Sequence, residues 1–207
     1  MRTMKIKLKN KTKATYIVSV NEEIWGILPA KILRFFSLHP DIENDLPETE
    51  KNKILLEIEK YSWDRLLNFI TYRERSTREC EIFLKLLPLK SDLIEKLLAK
   101  AIELNLLKDK RFAEMLVNDL LEKGKSKQEI RNKLCEKKVN SEIIENCLNK
   151  QFSFEIEEDL LNINLDRAIR KYVSLPSEKR KEKILNYLTR KGFSYWEVKE
   201  KMEEKEI

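Results

Sequence analysis

A set of apolar residues that occurs three times at fixed spacing constrains the fold of this chain more than any other feature. Five apolar positions, at relative offsets −4, 0, +5, +10 and +14, are found in segments that lie 50 and then 54 residues apart. The sets are Cys80, Leu84, Leu89, Ile94 and Leu98; Ile130, Leu134, Val139, Ile144 and Leu148; and Ile184, Leu188, Phe193, Val198 and Met202. Internal similarity at a period of about 20 to 50 residues is typical of repeat proteins.

Each copy has the pattern of two helices joined by a turn, with an apolar residue in the turn and two apolar residues one turn apart in the second helix. Polar residues that can cap this second helix are Ser91, Asn140 or Ser141, and Ser194. A third helix is predicted upstream of each pair, over about 63–72, 109–122 and 157–172. Because such a unit cannot bury two faces alone, neighbouring units must stack. The predicted fold is therefore mainly α, with three tandem three-helix repeats in an elongated curved array.

The N-terminal segment has a different periodicity. Between Met4 and Leu28 apolar and polar residues alternate, which predicts two or three short antiparallel strands. The segment Pro29–Leu38 is expected to form a covering helix, 39–47 an acidic loop, and 48–60 a further helix. The predicted domains are a β-containing head at 1–60 and three-helix repeats at 61–107, 108–150 and 151–207.

Composition narrows the class of protein. Charged residues make up 38% of the chain, against about 25% in typical globular proteins, and there are only 3 glycines. The 3 cysteines are not clustered, and no apolar run reaches the length of a membrane span, which favours a reducing, cytoplasmic location. His39 is the single histidine, and no metal-binding, nucleophile or phosphate-loop motif occurs. We therefore expect a protein that is not an enzyme and uses neither cofactor nor metal.

Basic residues are concentrated in three segments, although the net charge is only +6. Residues 1–20 contain six basic residues, from Arg2 to Lys13, and no acidic one. Residues 123–138 have seven basic and two acidic residues, and 170–191 have eight and two. Such clusters can neutralise the phosphates of a nucleic acid, or they can be solvated helix faces.

Three short motifs resemble those of the RecX family. They are Tyr72–Ser76 (YRERS), Leu106–Ala113 (LLKDKRFA) and Tyr187–Tyr195 (YLTRKGFSY), and their order and separation agree with three tandem repeats. The chain departs from the family pattern at Lys108, where an aspartate is usual, and at Lys138, where a turn often has glycine. The second departure predicts a different helix C-cap after the first helix of that pair.

The resemblance implies a regulator of recombination and DNA repair that binds the RecA recombinase filament, reaches single-stranded DNA through that filament, and inhibits strand exchange, ATPase activity and filament growth. Separately from the resemblance, we expect a monomer. The cations expected to remain outside the fold and to contact partner or nucleic acid are Arg73, Arg75, Arg78, Lys123, Lys125, Lys127, Arg131, Lys133, Lys179, Arg180, Lys183, Arg190 and Lys191.

Two other functions remain open at this point. The chain could be a helical DNA- or RNA-binding protein without a recombinase partner, because 126–149 resembles a helix-turn-helix. Against this, the second helix of that pair has only one basic residue, Lys150. The chain could also be a scaffold that binds only protein, with its lysines serving solubility. The motif residues have structural interpretations too, with Ser76 and Asp109 as N-caps, Phe112 in the core, and Gly192 as a left-handed C-cap.

Overall fold

The structure of the chain is a computed structural model that describes residues 3–40 and 42–207. Arg2 and Asp41, which belong to the predicted basic segment and the predicted acidic loop, lie outside the described residues. The chain divides into two compact units, Met1–Lys108 and Asp109–Ile207.

In its described residues, the first unit contains a four-stranded antiparallel sheet, four α-helices and a short 3-10 helix, Glu48–Glu50. The sheet has the strand order β3-β2-β1-β4, and the elements are β1 (Thr3–Thr12), β2 (Thr15–Val20), β3 (Glu23–Pro29), α1 (Ala30–Phe35), β4 (Asn44–Pro47), α2 (Lys51–Tyr72), α3 (Thr77–Lys85) and α4 (Ser91–Glu103). One face of the sheet is covered by α2, whose Ile54 and Ile58 are fully buried in the same cluster as Ile6 and Val18. This packing removes the apolar face of the sheet from water.

Two predictions for the head were wrong. Residues 44–47 are not loop but form β4, which pairs with β1 in a register that places Asn44 opposite Ile6. The buried Asn44 side chain fixes the preceding turn, because it accepts the His39 N–H at 2.8 Å and donates to the His39 carbonyl at 2.9 Å. The two helices predicted between 48 and 72 are one continuous helix, α2, since no glycine or proline interrupts 51–72.

The second unit consists of six helices. They are α5 (Asp109–Glu122), α6 (Lys127–Glu136), α7 (Ser141–Gln151), α8 (Phe154–Lys171), α9 (Ser177–Arg190) and α10 (Tyr195–Glu204). α5 has the bounds that the sequence predicted. Among the described residues, no helix combines the length and the apolar composition that crossing a bilayer requires.

The repeated apolar positions occupy equivalent places. The first set packs around Cys80 and Leu84, the second around Ile130 and Leu134, and the third around Ile184 and Leu188, each in a separate core cluster. All six of these residues have a relative exposure of 0%. The predicted fold class, mainly α behind a small N-terminal sheet, is confirmed; the boundaries at 60/61, 107/108 and 150/151 stay predictions.

The turns that follow α6 and α9 have the same geometry. After α6, Val139 N–H donates to the Leu134 carbonyl at 3.2 Å and Lys138 N–H to the Cys135 carbonyl at 2.9 Å. After α9, Phe193 and Gly192 make the equivalent bonds, at 3.2 and 2.9 Å. These are Schellman caps. The expectation that Lys138 would change the cap was wrong, because Lys138 itself adopts the left-handed conformation, with φ of 57°.

Helix starts follow the predicted caps in part. Ser76 caps α3 and Ser126 caps α6, each in a capping box with the glutamate three residues later. Asn140 caps α7, accepting the Glu142 N–H at 2.8 Å. Ser91 is the first residue of α4 rather than its cap, which is Lys90.

Candidate nucleic-acid and partner interface

Most of the predicted contact cations form ion pairs within the chain. Seven of the thirteen have a carboxylate partner within 3.3 Å, namely Arg73 with Glu79, Arg78 with Glu81, Lys125 and Lys191 with Glu129, Lys127 with Glu157, Arg131 with Glu145, and Lys133 with Glu136. Arg75 instead stacks on the Phe69 ring, 4.0 Å from its centroid, and donates to the Phe69 carbonyl. These neighbours reduce the positive potential that the sequence clusters suggest.

The pair between α6 and α7 shows how the second cluster is neutralised. Arg131 makes two parallel hydrogen bonds to the Glu145 carboxylate, at 2.9 and 2.8 Å. This bidentate geometry is the most specific that an arginine and a carboxylate can form. The hydrogen bond from Arg131 holds the pKa of the Glu145 carboxyl below its ordinary value. Arg131 therefore fixes α6 against α7.

Lys191 belongs to a polar network inside the second unit rather than to its surface. Its side chain is 16% exposed, and its Nζ lies 3.1 Å from Asn164 Oδ1 and 3.3 Å from a Glu129 carboxylate oxygen. The fully buried Asn164 donates to the carbonyls of Gly124 and Leu160. The network thus joins α8, the α5–α6 turn and the turn after α9.

The same network shifts the pKa of Glu129. Burial by itself would raise the pKa of this carboxyl. The Ser126 N–H, the Lys125 ammonium and the charge of Lys191 outweigh that effect and hold the pKa below its ordinary value. Ser126 also donates its hydroxyl to the Lys191 carbonyl.

The cations of α9 are arranged differently. Lys179, Lys183 and Arg190 are exposed and make no ion pair with any residue in 3–40 or 42–207. Lys183 and Arg190 lie about 40° and 20° around the helix from Lys179. All three therefore share one face, about 16 Å long. The buried Ile184 and Leu188 occupy the opposite side. We call Lys179, Lys183 and Arg190 the basic face of α9.

Two further predicted cations stand apart from this face. Lys123 is exposed at the end of α5 and has no ion pair within the described chain. Arg180 is half-buried, and its Nε has no hydrogen-bond partner among the described residues.

Two exposed aromatic residues that follow α9 in the sequence were not among the predicted site residues. Tyr195 and Trp196 begin α10, are 48% and 73% exposed, and lie edge to face with centroids 5.3 Å apart. Exposed aromatic rings of this kind can stack on unpaired bases. Helical spacing could have identified Trp196, because it lies two residues, or about 200°, from the buried Val198.

Comparison with known proteins finds similarity to one family. The family model for the second three-helix domain of RecX matches residues 109–148, which cover α5, α6 and most of α7. The regulatory protein RecX of Finegoldia magna is 27% identical over 195 residues, covering 92% of this chain and 89% of that protein. That of Streptococcus sanguinis is 28% identical, covering 99% and 78%. These matches support a RecX family protein.

Solved RecX structures share the fold. A crystal structure of regulatory protein RecX superposes with a TM-score of 0.67 at 24% identity, over 95% of this chain and 99% of that chain. The structure of RecX from Lactobacillus salivarius gives a TM-score of 0.61 at 24% identity, over 70% and 95%. In this chain, the basic face of α9 lies C-terminal to the matched segment 109–148.

Proposed function

We propose that this chain is a non-enzymatic regulator that binds, as a monomer in the cytoplasm, the filament of RecA recombinase on single-stranded DNA and inhibits its activity. Support comes from the curated relatives, which are named regulatory proteins and align over nearly the whole chain. A repeat architecture suits this role, because each added unit extends the surface available to a long ligand.

The observation that carries the proposal is the basic face of α9. Its three cations have no ion-pair partner in the part of the chain that the structure describes, whereas most of the other predicted contact cations have one. A phosphate backbone is the ligand that such a row attracts, since binding releases the counterions held by the phosphates. The row is short, so it supplies only part of the affinity, and contacts to the recombinase would supply the rest.

The first experiment measures RecA strand exchange and ATPase activity with the purified chain at substoichiometric and equal ratios. Inhibition is expected in both assays. Absence of inhibition at every ratio would remove the proposed function.

The second experiment tests the basic face. We expect the triple variant Lys179→Gln, Lys183→Gln, Arg190→Gln to weaken filament binding and to reduce the slope of log affinity against log salt by about 2, at about 0.7 per phosphate contact on a single strand. The control is a triple glutamine variant that loses the same charge at exposed, ion-paired lysines of the first unit, Lys53, Lys60 and Lys85. Equal slopes for both triple variants would exclude α9 as the contact.

A nucleic-acid-binding protein without a recombinase partner is the second candidate. The exposed pair Tyr195 and Trp196 favours it, because base stacking needs no protein partner. Affinity for naked single-stranded DNA should then equal affinity for the RecA filament. A clear preference for the filament would reject this candidate.

A further inference from the structure

A groove in the second unit has an apolar floor. It has a volume of about 320 Å³ and lies beside α8 and α10. Phe152, Leu160, Leu161 and Phe193 contribute the floor. Leu160 and Leu161 are buried, and Phe193 is partly buried between the cores of the last two repeats. The floor is therefore built by the fold itself.

The rim of the groove is strongly acidic. Five glutamates and only two lysines line it, leaving three negative charges in a chain whose net charge is +6: Glu157, Glu158, Glu197, Glu200 and Glu204, with Lys127 and Lys201. Lys127 pairs with Glu157 at 2.6 Å, and Lys201 pairs with Glu158 at 2.6 Å and Glu204 at 2.9 Å. Hydrogen bonds to Glu158 and Glu204 raise the pKa of Lys201, which stays charged.

The two remaining carboxylates are available to a ligand. Glu197 and Glu200 are exposed on α10, and neither forms an ion pair with another described residue. They lie three residues apart in one helix, so both point to a similar side of it. A ligand with two positive charges could meet both.

An exposed aromatic ring lies at the edge of this groove. Phe154, in the first turn of α8 after the Ser153 cap, lines the groove and is 80% exposed. A large apolar ring so exposed beside an apolar floor marks a place where an apolar side chain of a ligand would gain contact.

We propose that this groove binds a segment of a protein partner in which two or more lysines or arginines flank one large apolar side chain. The apolar side chain would pack on the floor and against Phe154, and the cations would meet Glu197 and Glu200. Resting on the proposed function, the partner is the recombinase protomer in the filament. The groove would thus hold protein while the basic face of α9 meets phosphate.

Charge and burial separate this occupant from two others. Nucleic acid is disfavoured because its phosphates would approach a rim with three excess negative charges. A second copy of the chain could not supply Ile6 of β1 or Ile184 of α9 as the apolar side chain, because both are 0% exposed. The cross-linking experiment below would detect nucleic acid or a second copy in the groove as separate products.

Site-specific photo-cross-linking tests the occupant with the full chain. Phe154→p-benzoylphenylalanine places the reactive group at the groove, and Val173→p-benzoylphenylalanine is the control. Val173 is 64% exposed and lies 19 residues away, beyond the other end of α8. On a RecA filament assembled on single-stranded DNA, we expect the groove position to cross-link to a recombinase peptide that contains at least two lysines or arginines. Cross-linking to DNA, to a second copy, or no more than at position 173 would overturn the proposal.

Charge reversal provides an independent measurement. Glu197→Lys with Glu200→Lys should weaken filament binding about tenfold. The control is Asp119→Lys with Glu122→Lys, at two exposed carboxylates of α5 that form no ion pair with a described residue. It gives the same change in net charge and should alter affinity less than twofold. Far-UV circular dichroism verifies that both variants fold.

The results of these experiments distinguish failure of the groove proposal from failure of the proposed function. If the unaltered chain neither binds nor inhibits the filament, the proposed function and the groove proposal both fall. If it binds and inhibits while the groove variant does so equally well, only the groove proposal falls.

Discussion

The variant Lys191→Met tests whether Lys191 stabilises the fold or contacts a partner. The sequence predicted that Lys191 contacts a partner or nucleic acid. Methionine keeps most of the apolar stem beside the Tyr187 ring, whose centroid lies 5.4 Å from Nζ in the native chain. It removes the ammonium that bonds Asn164 and Glu129. We expect Lys191→Met to lower the stability of the second unit without changing the salt dependence of filament binding.

The expected loss of stability follows from the polar groups that lose their partner when the Lys191 ammonium is removed. Asn164 is 0% exposed, so its Oδ1 would be a buried acceptor without a partner, which costs about 1–3 kcal/mol. The Glu129 side chain is 25% exposed, so loss of its pair with Lys191 adds less than about 1 kcal/mol. The expected decrease in the free energy of unfolding is about 2–3 kcal/mol.

Urea unfolding of the full chain, followed by far-UV circular dichroism, measures this change. The control is Lys133→Met, because Lys133 is 55% exposed and pairs with a Glu136 that is 60% exposed. That variant should change stability by less than about 0.5 kcal/mol. If Lys191→Met is as stable as the control, or if it reduces the salt slope as the α9 variant does, Lys191 is a surface contact and does not stabilise the network.

Three further predictions concern the same turns. Lys138→Gly should stabilise the chain by about 1 kcal/mol in urea unfolding, because glycine adopts the native φ of 57° without the cost of a side chain; a loss of stability would contradict this. Gly192→Ala should destabilise it by more than about 2 kcal/mol, because φ is 93° and the added Cβ would overlap the Gln128 side chain at its Cβ; a change below about 0.5 kcal/mol would refute the close packing. The pKa of Glu129 is lower in the folded chain than its ordinary value of 4.5. The ionised carboxylate therefore stabilises the fold at pH values above 4.5, and this contribution is lost as the pH falls through the folded pKa. The stability difference between the unaltered chain and Lys191→Met should therefore narrow as the pH falls below about 4.5.

The helical part of the fold could be predicted because its apolar positions repeat. Ile130 and Leu134 stand one turn apart on α6, as Ile184 and Leu188 do on α9, and a helix has few other ways to bury such pairs. β4 could not be found in this way. It has four residues, Asn44–Pro47, with an asparagine and a proline at its ends, and its existence depends on pairing with β1 rather than on its own propensity.

The interface was harder to predict because charge clusters in sequence do not show which charges are already paired. Local pairs such as Lys125 with Glu129, at i and i+4, could have been found from helical spacing. The pair of Lys191 with Glu129 spans 62 residues and exists only because two repeats meet there. The three cations of the basic face of α9 were among the predicted contact cations. The structure distinguishes them from most of the others, because they have no ion-pair partner among the described residues.

The second unit has two surfaces that would bind ligands of opposite charge. The basic face of α9 attracts phosphate, whereas the groove with Glu197 and Glu200 attracts a cationic protein segment. Naked DNA can satisfy only the first surface and free recombinase only the second, but a nucleoprotein filament carries both kinds of ligand. Affinity for the filament should therefore exceed affinity for either component, and the effects of the α9 and groove variants on filament binding should add to within about 0.5 kcal/mol, as expected of sites with no shared partner. Strong non-additivity would mean that both sets of residues act on one and the same contact.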